Sequence, residues 1–139
     1  MFADRKIEIH ARGITASVFD RHRVSQAVGN LLRNALTYSP RDSSVTVDVF
    51  GEHDCTAISV INAGSPIPET RRAALFEAFR RGAQRGHDPH HSVGLGLYIV
   101  RQVANAHGGD VACEYSDERG TCFTLRLPRK PAASDVSCA

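Results

Sequence analysis

Several features are scarce or missing in this 139-residue sequence, and each absence excludes a class of protein. There is no tryptophan, and no apolar run approaches the roughly 20 residues that a membrane-spanning helix needs. The four cysteines lie apart, without a CxxC pair, so the sequence indicates neither a zinc knuckle nor a disulfide framework. A net charge of +2 is too small to indicate nucleic acid as a partner. We therefore expect a cytoplasmic globular domain that does not itself insert into a membrane.

The periodicity of the apolar residues predicts a single α/β domain. Residues 20–40 repeat apolar side chains at intervals of three and four, as a helix does, with Asp20 as its N-cap. Residues 43–51 and 56–62 resemble paired strands, and two shorter strands are expected over 6–11 and 14–19. A shorter helix over 69–81, a third helix closed by Gly108 and Gly109, and two final strands complete the order ββαββααββ. We predict a two-layer sandwich of a mixed, largely antiparallel sheet packed on three helices, formed by residues 1–130, with a disordered tail over 131–139.

A pair of glycines in "VGLGLYIV" stands where the third helix is expected to begin. Gly94 and Gly96 would leave backbone N–H groups uncovered at the positive end of the helix dipole, which suits phosphate oxygens. A tight turn that needs glycine explains the same residues equally well, because short glycine motifs are weak signals.

Two asparagine positions strengthen the phosphate hypothesis. Asn30 and Asn34 are four apart on the first helix, so they lie on one side, and Asn34 falls at the edge of the apolar stripe. An amide oxygen there is a ligand that Mg²⁺ accepts, although a bond to a neighbouring loop is the ordinary alternative. Asn62 ends a strand, and Gly64 would let the chain pass close to a flat ligand, unless the two simply form a turn. The polar stretch 82–94 has the length of a lid over a ligand.

These segments together resemble the catalytic, ATP-binding domain of bacterial sensor histidine kinases. "RVSQAVGNLLRNALTYSP" is similar to their N box, "INAGSPIP" to the first glycine box, and "LFEAFRRG" to the F box. "VGLGLYIV" resembles the second glycine box and "GTCFTLRLP" the last, strand-borne one. Five boxes in the right order are far more specific than any one alone. The resemblance implies the Bergerat-type ATP-binding fold, with ATP and Mg²⁺ as ligands.

Carried over by position, the resemblance also implies a role for individual residues. Asn34 would hold Mg²⁺ and act in catalysis, with Asn30 assisting, and Arg81 would meet the γ-phosphate. Asn62 would accept from the adenine amino group. The remaining cofactor-binding positions are Tyr38, Gly64 and Ile67 around the purine, Gly94, Leu95, Gly96 and Leu97 on the phosphates, and Thr121 in the last box. Phe76 and Phe79 would anchor a lid that runs from about residue 82 to residue 93.

The sequence also departs from that family. Asn62 replaces the usual Asp, and Thr37 stands where a Lys, Arg or His often reaches phosphate. His10, His22 and His53 lack the neighbours of a phospho-accepting histidine, so we expect the acceptor on a separate dimerisation domain, with a response regulator as an indirect partner and without autophosphorylation of this chain alone. The resemblance leaves the membrane attachment of the parent protein open.

Other functions remain as alternatives. The chain could be a catalytically weak nucleotide-binding module for protein interaction, which Thr37 and Asn62 favour. It could also be a serine kinase of the same superfamily, or a conformational ATPase. The ATPases place a Glu one turn before the Mg²⁺ asparagine, and Asn30 cannot replace that general base. The histidines in "HDPHH" could bind a metal ion together, but an exposed loop explains them more simply.

Overall fold

The computed structural model describes residues 5–13, 19–77 and 95–129 of the chain. Its elements follow in the order β1 (Ile7–Arg12), α1 (Arg21–Tyr38), β2 (Val45–Gly51), β3 (Cys55–Asn62), α2 (Glu69–Arg72), a 3₁₀ turn (Ala73–Phe76), α3 (Gly96–Ala106), β4 (Asp110–Ser116) and β5 (Gly120–Pro128). The predicted fold class, a mixed sheet packed on three helices, is confirmed.

The five strands form one sheet in the order β1-β2-β3-β5-β4. Strand β1 runs parallel to β2, and the other neighbours are antiparallel. Every residue of the central strand β3 is buried. On the face that carries the helices, Val47, Val60 and Phe123 lie side by side across three strands and form the centre of the core. The helices pack on this face of the sheet, and the end of β3 and the start of β5 lie next to the site described below.

The pairing of β1 differs from the prediction of two adjoining strands before the first helix. Strand β1 pairs with β2, in the register Ile9 to Val47. Of the predicted second strand over 14–19, Phe19 lies outside any strand, and residues 14–18 lie outside the described residues. A parallel pair of this kind requires a long crossover, which α1 provides here, and local sequence patterns do not reveal such a distant partner.

Helix α1 begins and ends on side-chain hydrogen bonds. Asp20 is the N-cap, as predicted, and its carboxylate accepts from the Arg23 N–H at 3.1 Å. That backbone hydrogen bond is also the main reason why the pKa of Asp20 lies below its usual value. At the other end, the Arg5 guanidinium donates to the Leu36 carbonyl at 3.0 Å and satisfies one of the last carbonyls of the helix. The buried stripe between them consists of Val24, Ala27, Leu31, Ala35 and Leu36.

The predicted helix over 69–81 is shorter than expected within the described residues. Helix α2 has four residues, the chain then tightens into the 3₁₀ turn, and Glu77 is extended with ψ of 148°. At the end of this 3₁₀ turn, the Phe76 ring packs edge to face on Phe123, with centroids 6.0 Å apart and planes at 83°. Phe76 is therefore fixed in the core, while Phe79 lies outside the described residues.

The glycine pair after α3 closes that helix as predicted. Gly108 adopts a left-handed φ of 76°, and the Gly109 N–H donates to the Ala104 carbonyl at 2.8 Å. A Cβ atom on Gly109 would lie 1.8 Å from the Arg126 carbonyl oxygen, so only glycine fits where the chain turns into β4.

Three further predictions concern the chain as a whole. No helix in the described ranges 5–13, 19–77 and 95–129 is both long and apolar enough to cross a membrane. The same ranges contain no group of three or more His, Cys, Asp or Glu side chains placed to hold a metal ion, and "HDPHH" lies outside them. Residues 130–139 lie outside them too, so the domain boundary at 130 and the disordered tail stay predictions.

Candidate functional site

The start of helix α3 is joined to the middle of helix α1 by a side-chain hydrogen bond. Asn30 Nδ2 donates to the carbonyl of Gly96, the first residue of α3, at 3.2 Å. At the opposite ends of the two helices, the Asp20 N–H donates to Nε2 of His107 at 3.0 Å. The helices are therefore antiparallel, and Asn30 lies directly beside the N-terminus of α3.

The oxygen of the Asn30 amide has a partner that the sequence analysis did not single out. Arg33 Nη2 donates to Asn30 Oδ1 at 2.5 Å, so both ends of this amide are engaged. Arg33 is exposed, and it forms no ion pair within the described part of the chain. The spacing of three on one helix was a signal for this contact, but it does not say which of several neighbours an arginine will choose.

Asn34 lies one helical turn beyond Asn30, about 6 Å along the α1 axis at 1.5 Å per residue. It is half-buried at the edge of the apolar stripe, as the sequence predicts. Its side-chain amide forms no hydrogen bond to another described residue. Its oxygen thus has the chemistry and the freedom to bind a hard cation such as Mg²⁺.

The N-terminus of α3 has no side-chain cap. Leu95 occupies the N-cap position and offers no capping hydrogen bond, and the first turn contains no acidic residue. The bond from the Ile99 N–H to the Leu95 carbonyl, 2.8 Å long, begins the helical ladder. Leu97 packs against the core and holds this end in place. The first N–H groups of a helix with no side-chain cap form an anion-binding arrangement.

A second group of predicted residues meets where β3 ends. Asn62 pairs with Thr121 across β3 and β5, and both are buried, at 4% exposure each. The Thr121 hydroxyl lies 3.5 Å from the Ser65 carbonyl, at the limit of a hydrogen bond. Gly120 has φ of 94°, and a Cβ there would lie 2.2 Å from the Asn62 carbonyl oxygen. Glycine is required at that position because the two chains approach so closely.

The loop after Asn62 passes the C-terminal turn of α1. A Cβ atom on Gly64 would lie 2.7 Å from Asn62 Nδ2 and 3.0 Å from the Tyr38 carbonyl oxygen. Ile67 packs on the edge of the core, and its carbonyl accepts from Arg72 Nε at 3.0 Å. The Tyr38 side chain is half-exposed. Gly64 thus lies between the Asn62 side chain and the Tyr38 backbone, and the predicted role of these residues in binding a purine stays a prediction.

Two of the predicted site residues cannot be placed. Gly94 and Arg81 lie outside the described residues, and so does the whole predicted lid. The described part therefore contains two groups of predicted residues. One joins α1 to the start of α3, and the other surrounds the end of β3.

Comparison with known proteins matches most of the chain to one family. The model of the histidine kinase-, DNA gyrase B- and HSP90-like ATPase family matches residues 19–131. The sensor protein CzcS of Cupriavidus metallidurans is 33% identical over 96% of this chain. The sensor histidine kinase WalK of Bacillus subtilis is 34% identical over 84% of the chain. This chain spans only 28% and 19% of those two relatives.

Solved structures agree with the sequence relatives. The catalytic domain of the histidine kinase ThkA has a TM-score of 0.78 at 25% identity, over 91% of this chain and 80% of that one. The mycobacterial sensor histidine kinase MprB has a TM-score of 0.76 at 28% identity, over 94% of this chain and 85% of that one. With the family model matched over most of its length and with this fold, the chain belongs to the histidine kinase-, DNA gyrase B- and HSP90-like ATPase family.

Proposed function

We propose that this domain binds Mg²⁺-ATP and donates the γ-phosphoryl group to a histidine on a dimerisation domain outside this chain. The observation that carries the proposal is the hydrogen bond from Asn30 to the Gly96 carbonyl. It brings the amide-bearing side of α1 to the uncapped start of α3, so that a metal-binding amide and free peptide N–H groups serve one polyphosphate.

The purine belongs at the end of β3. In this proposal the Asn62 amide binds the base edge, and Gly64 lies along the ring. Tyr38 and Ile67 form walls, and Thr121 closes the floor. The fit rests on Asn62, a buried amide whose polar atoms have no partner among the described residues. Neither polar atom of this amide is among the fully buried side-chain atoms without a partner, so the amide reaches solvent and a hydrogen-bonding ligand can bind it.

The triphosphate belongs at the start of α3. Here Asn34 holds Mg²⁺, which neutralises charge on the triphosphate when it is bound. The backbone N–H groups of Gly94, Leu95, Gly96 and Leu97 bind phosphate oxygens, and Arg81 meets the γ-phosphate. Hydrolysis is a poorer candidate, because Asn30 is an amide with its oxygen bonded to Arg33 and cannot activate water as a base.

The phosphoryl acceptor and the signalling partners belong to a longer protein. His10 lies in β1, His22 in the first turn of α1 and His53 in the turn between β2 and β3, and none of the three has the sequence neighbours expected of a phospho-accepting histidine. Because the relatives are three to five times longer than this chain, a separate acceptor domain and a response regulator that acts after it complete the proposal. We place the domain formed by this chain in the cytoplasm.

Two measurements test this function. Calorimetric titration with a non-hydrolysable ATP analogue should show binding that strengthens with Mg²⁺, and no binding at millimolar ligand would exclude a kinase. An acceptor domain of a related kinase, mixed with this chain and γ-labelled ATP, should then acquire acid-labile label on its histidine. Binding of nucleotide without labelling of that acceptor domain would favour the nucleotide-binding module instead.

A further inference from the structure

Asn62 is the one strongly buried amide at the candidate purine end of the site, among the residues that the structure describes. It is the last residue of β3, and its backbone is held between Val45 on β2 and Thr121 on β5. Only 4% of the residue is exposed, yet its side-chain amide forms no hydrogen bond to any described residue. Among the described residues, the only fully buried side-chain nitrogen or oxygen without a partner is Nε of Arg5, so the Asn62 amide still reaches solvent, where a ligand can bond to it.

The neighbouring glycine packs directly against this amide. A Cβ atom at residue 64 would lie 2.7 Å from Asn62 Nδ2, closer than a real methyl group can sit. Glycine at residue 64 is therefore required for the amide to keep its position. On the strand opposite, the Thr121 hydroxyl is directed to the Ser65 carbonyl and does not restrict the amide.

An amide in this place differs chemically from a carboxylate. A carboxylate only accepts hydrogen bonds, so it selects a base that carries an amino group. An amide accepts through Oδ1 and donates through Nδ2, and rotation about its last bond exchanges the two. It therefore pairs with the 6-amino group of adenine in one orientation and with the 6-oxo group of hypoxanthine in the other. No described charged side chain bonds to Asn62 to fix one orientation.

We propose that Asn62 is a specificity-determining residue that lets the site accept 6-oxopurine nucleotides as well as adenine nucleotides. The inference rests on the proposed nucleotide site and adds the range of bases that it takes. Inosine diphosphate is the cleanest probe, because its base differs from adenine at the 6-position and the adjoining ring nitrogen and adds no 2-amino group.

Calorimetric titration with ADP and IDP, each with Mg²⁺, tests the inference. The wild-type dissociation constants should lie within about tenfold of each other, and a larger preference for ADP overturns the inference. In Asn62→Asp at pH 8, where the carboxyl is ionised, ADP binding should persist while the preference for ADP over IDP grows at least tenfold. The reason is that the carboxylate and the 6-oxo group of IDP are both hydrogen-bond acceptors and cannot bond to each other. An unchanged preference in that variant also overturns it.

Two further variants serve as controls for the effect of Asn62→Asp on nucleotide preference. Asn105→Asp makes the same chemical change on the exposed side of α3 and should leave both affinities within about twofold of wild type. Asn62→Ser keeps a group that donates and accepts, so its ADP preference should stay within tenfold even if Asn62→Asp does not fold. Failure of wild type to bind either nucleotide at millimolar concentration would instead remove the proposed function, which separates the two ideas.

Discussion

Replacing Gly96 with alanine should stabilise the folded protein and at the same time lower its affinity for nucleotide. A Cβ atom there would find its nearest neighbours, the Cβ and Cγ of Asn30, at 4.0 Å, which is ordinary contact distance. Gly96 is helical and does not have a positive φ. Alanine in a helix is about 0.5–1 kcal/mol more favourable than glycine. At the first helical position we expect the lower value, which corresponds to a rise in Tm of about 2 °C.

The same methyl group would stand beside the peptide N–H groups that the phosphates approach. Phosphate binding by a helix start depends on close access to the backbone, which glycine allows and a side chain limits. Loss of one charge-assisted hydrogen bond is worth about 1.5–3 kcal/mol, so we expect ADP affinity to fall at least tenfold. A purely structural glycine would not separate stability from binding in this way.

Gly29→Ala is the matched control. Gly29 lies inside α1, and a Cβ there would have no atom within 4 Å. We expect a similar or larger rise in Tm, about 3–4 °C, with unchanged ADP affinity. Differential scanning calorimetry and isothermal titration on both variants give the comparison. The reasoning is refuted if Gly96→Ala lowers the Tm, or if it binds ADP as well as Gly29→Ala does.

Three more predictions follow from single side chains. Asn34→Ala should remove the gain in ATP-analogue affinity that Mg²⁺ gives, measured by titration with and without Mg²⁺, and an undiminished gain would place the metal elsewhere. The pKa of Glu52 is lowered, chiefly by the hydrogen bond from the Cys55 thiol and also by Arg126, so its ionised form stabilises the fold above the ordinary glutamate pKa. That contribution to stability should be lost as pH falls through the lowered pKa. The free energy of unfolding of Glu52→Gln, measured from denaturation curves, should therefore depend less on pH between 5 and 3 than that of the wild type. An equal pH dependence in the two proteins would contradict this prediction. Burial raises the pKa of the Cys113 thiol to about 11, so at pH 8 only about 0.1% is thiolate, and peptide mapping after alkylation should find it labelled far more slowly in the folded than in the unfolded protein. Equal labelling rates in the two states would be inconsistent with that burial.

Much of the fold follows from local patterns. The apolar spacing of α1 and its cap at Asp20, the alternation in β2, and the glycine stop at Gly108 each have one structural solution at short range. The parallel pairing of β1 with β2 does not, because its partner lies more than thirty residues away. The early end of the second helix was also not predicted, since its alanine-rich sequence favours a longer helix and the contact of Phe76 with Phe123 joins residues far apart in the sequence.

The sequence indicates individual residues of the candidate site better than it indicates the hydrogen bonds between them. The sequence motifs single out Asn30, Asn34, Asn62 and Gly96, whose roles in binding stay predictions. The bond from Arg33 to Asn30 and the bond from the Asp20 N–H to His107 depend on how two helices meet in space. A sequence names the donors and acceptors, but the fold decides which of them come within reach.

The two hydrogen bonds between α1 and α3 have a mechanical consequence. One lies at Gly96 and the other at His107, at opposite ends of the shorter helix. A helix fastened at both ends can neither slide along its neighbour nor swing away at one tip without breaking a bond. A displacement of α3 relative to α1 at either end, the two ends being about 16 Å apart for its eleven residues, therefore breaks a hydrogen bond.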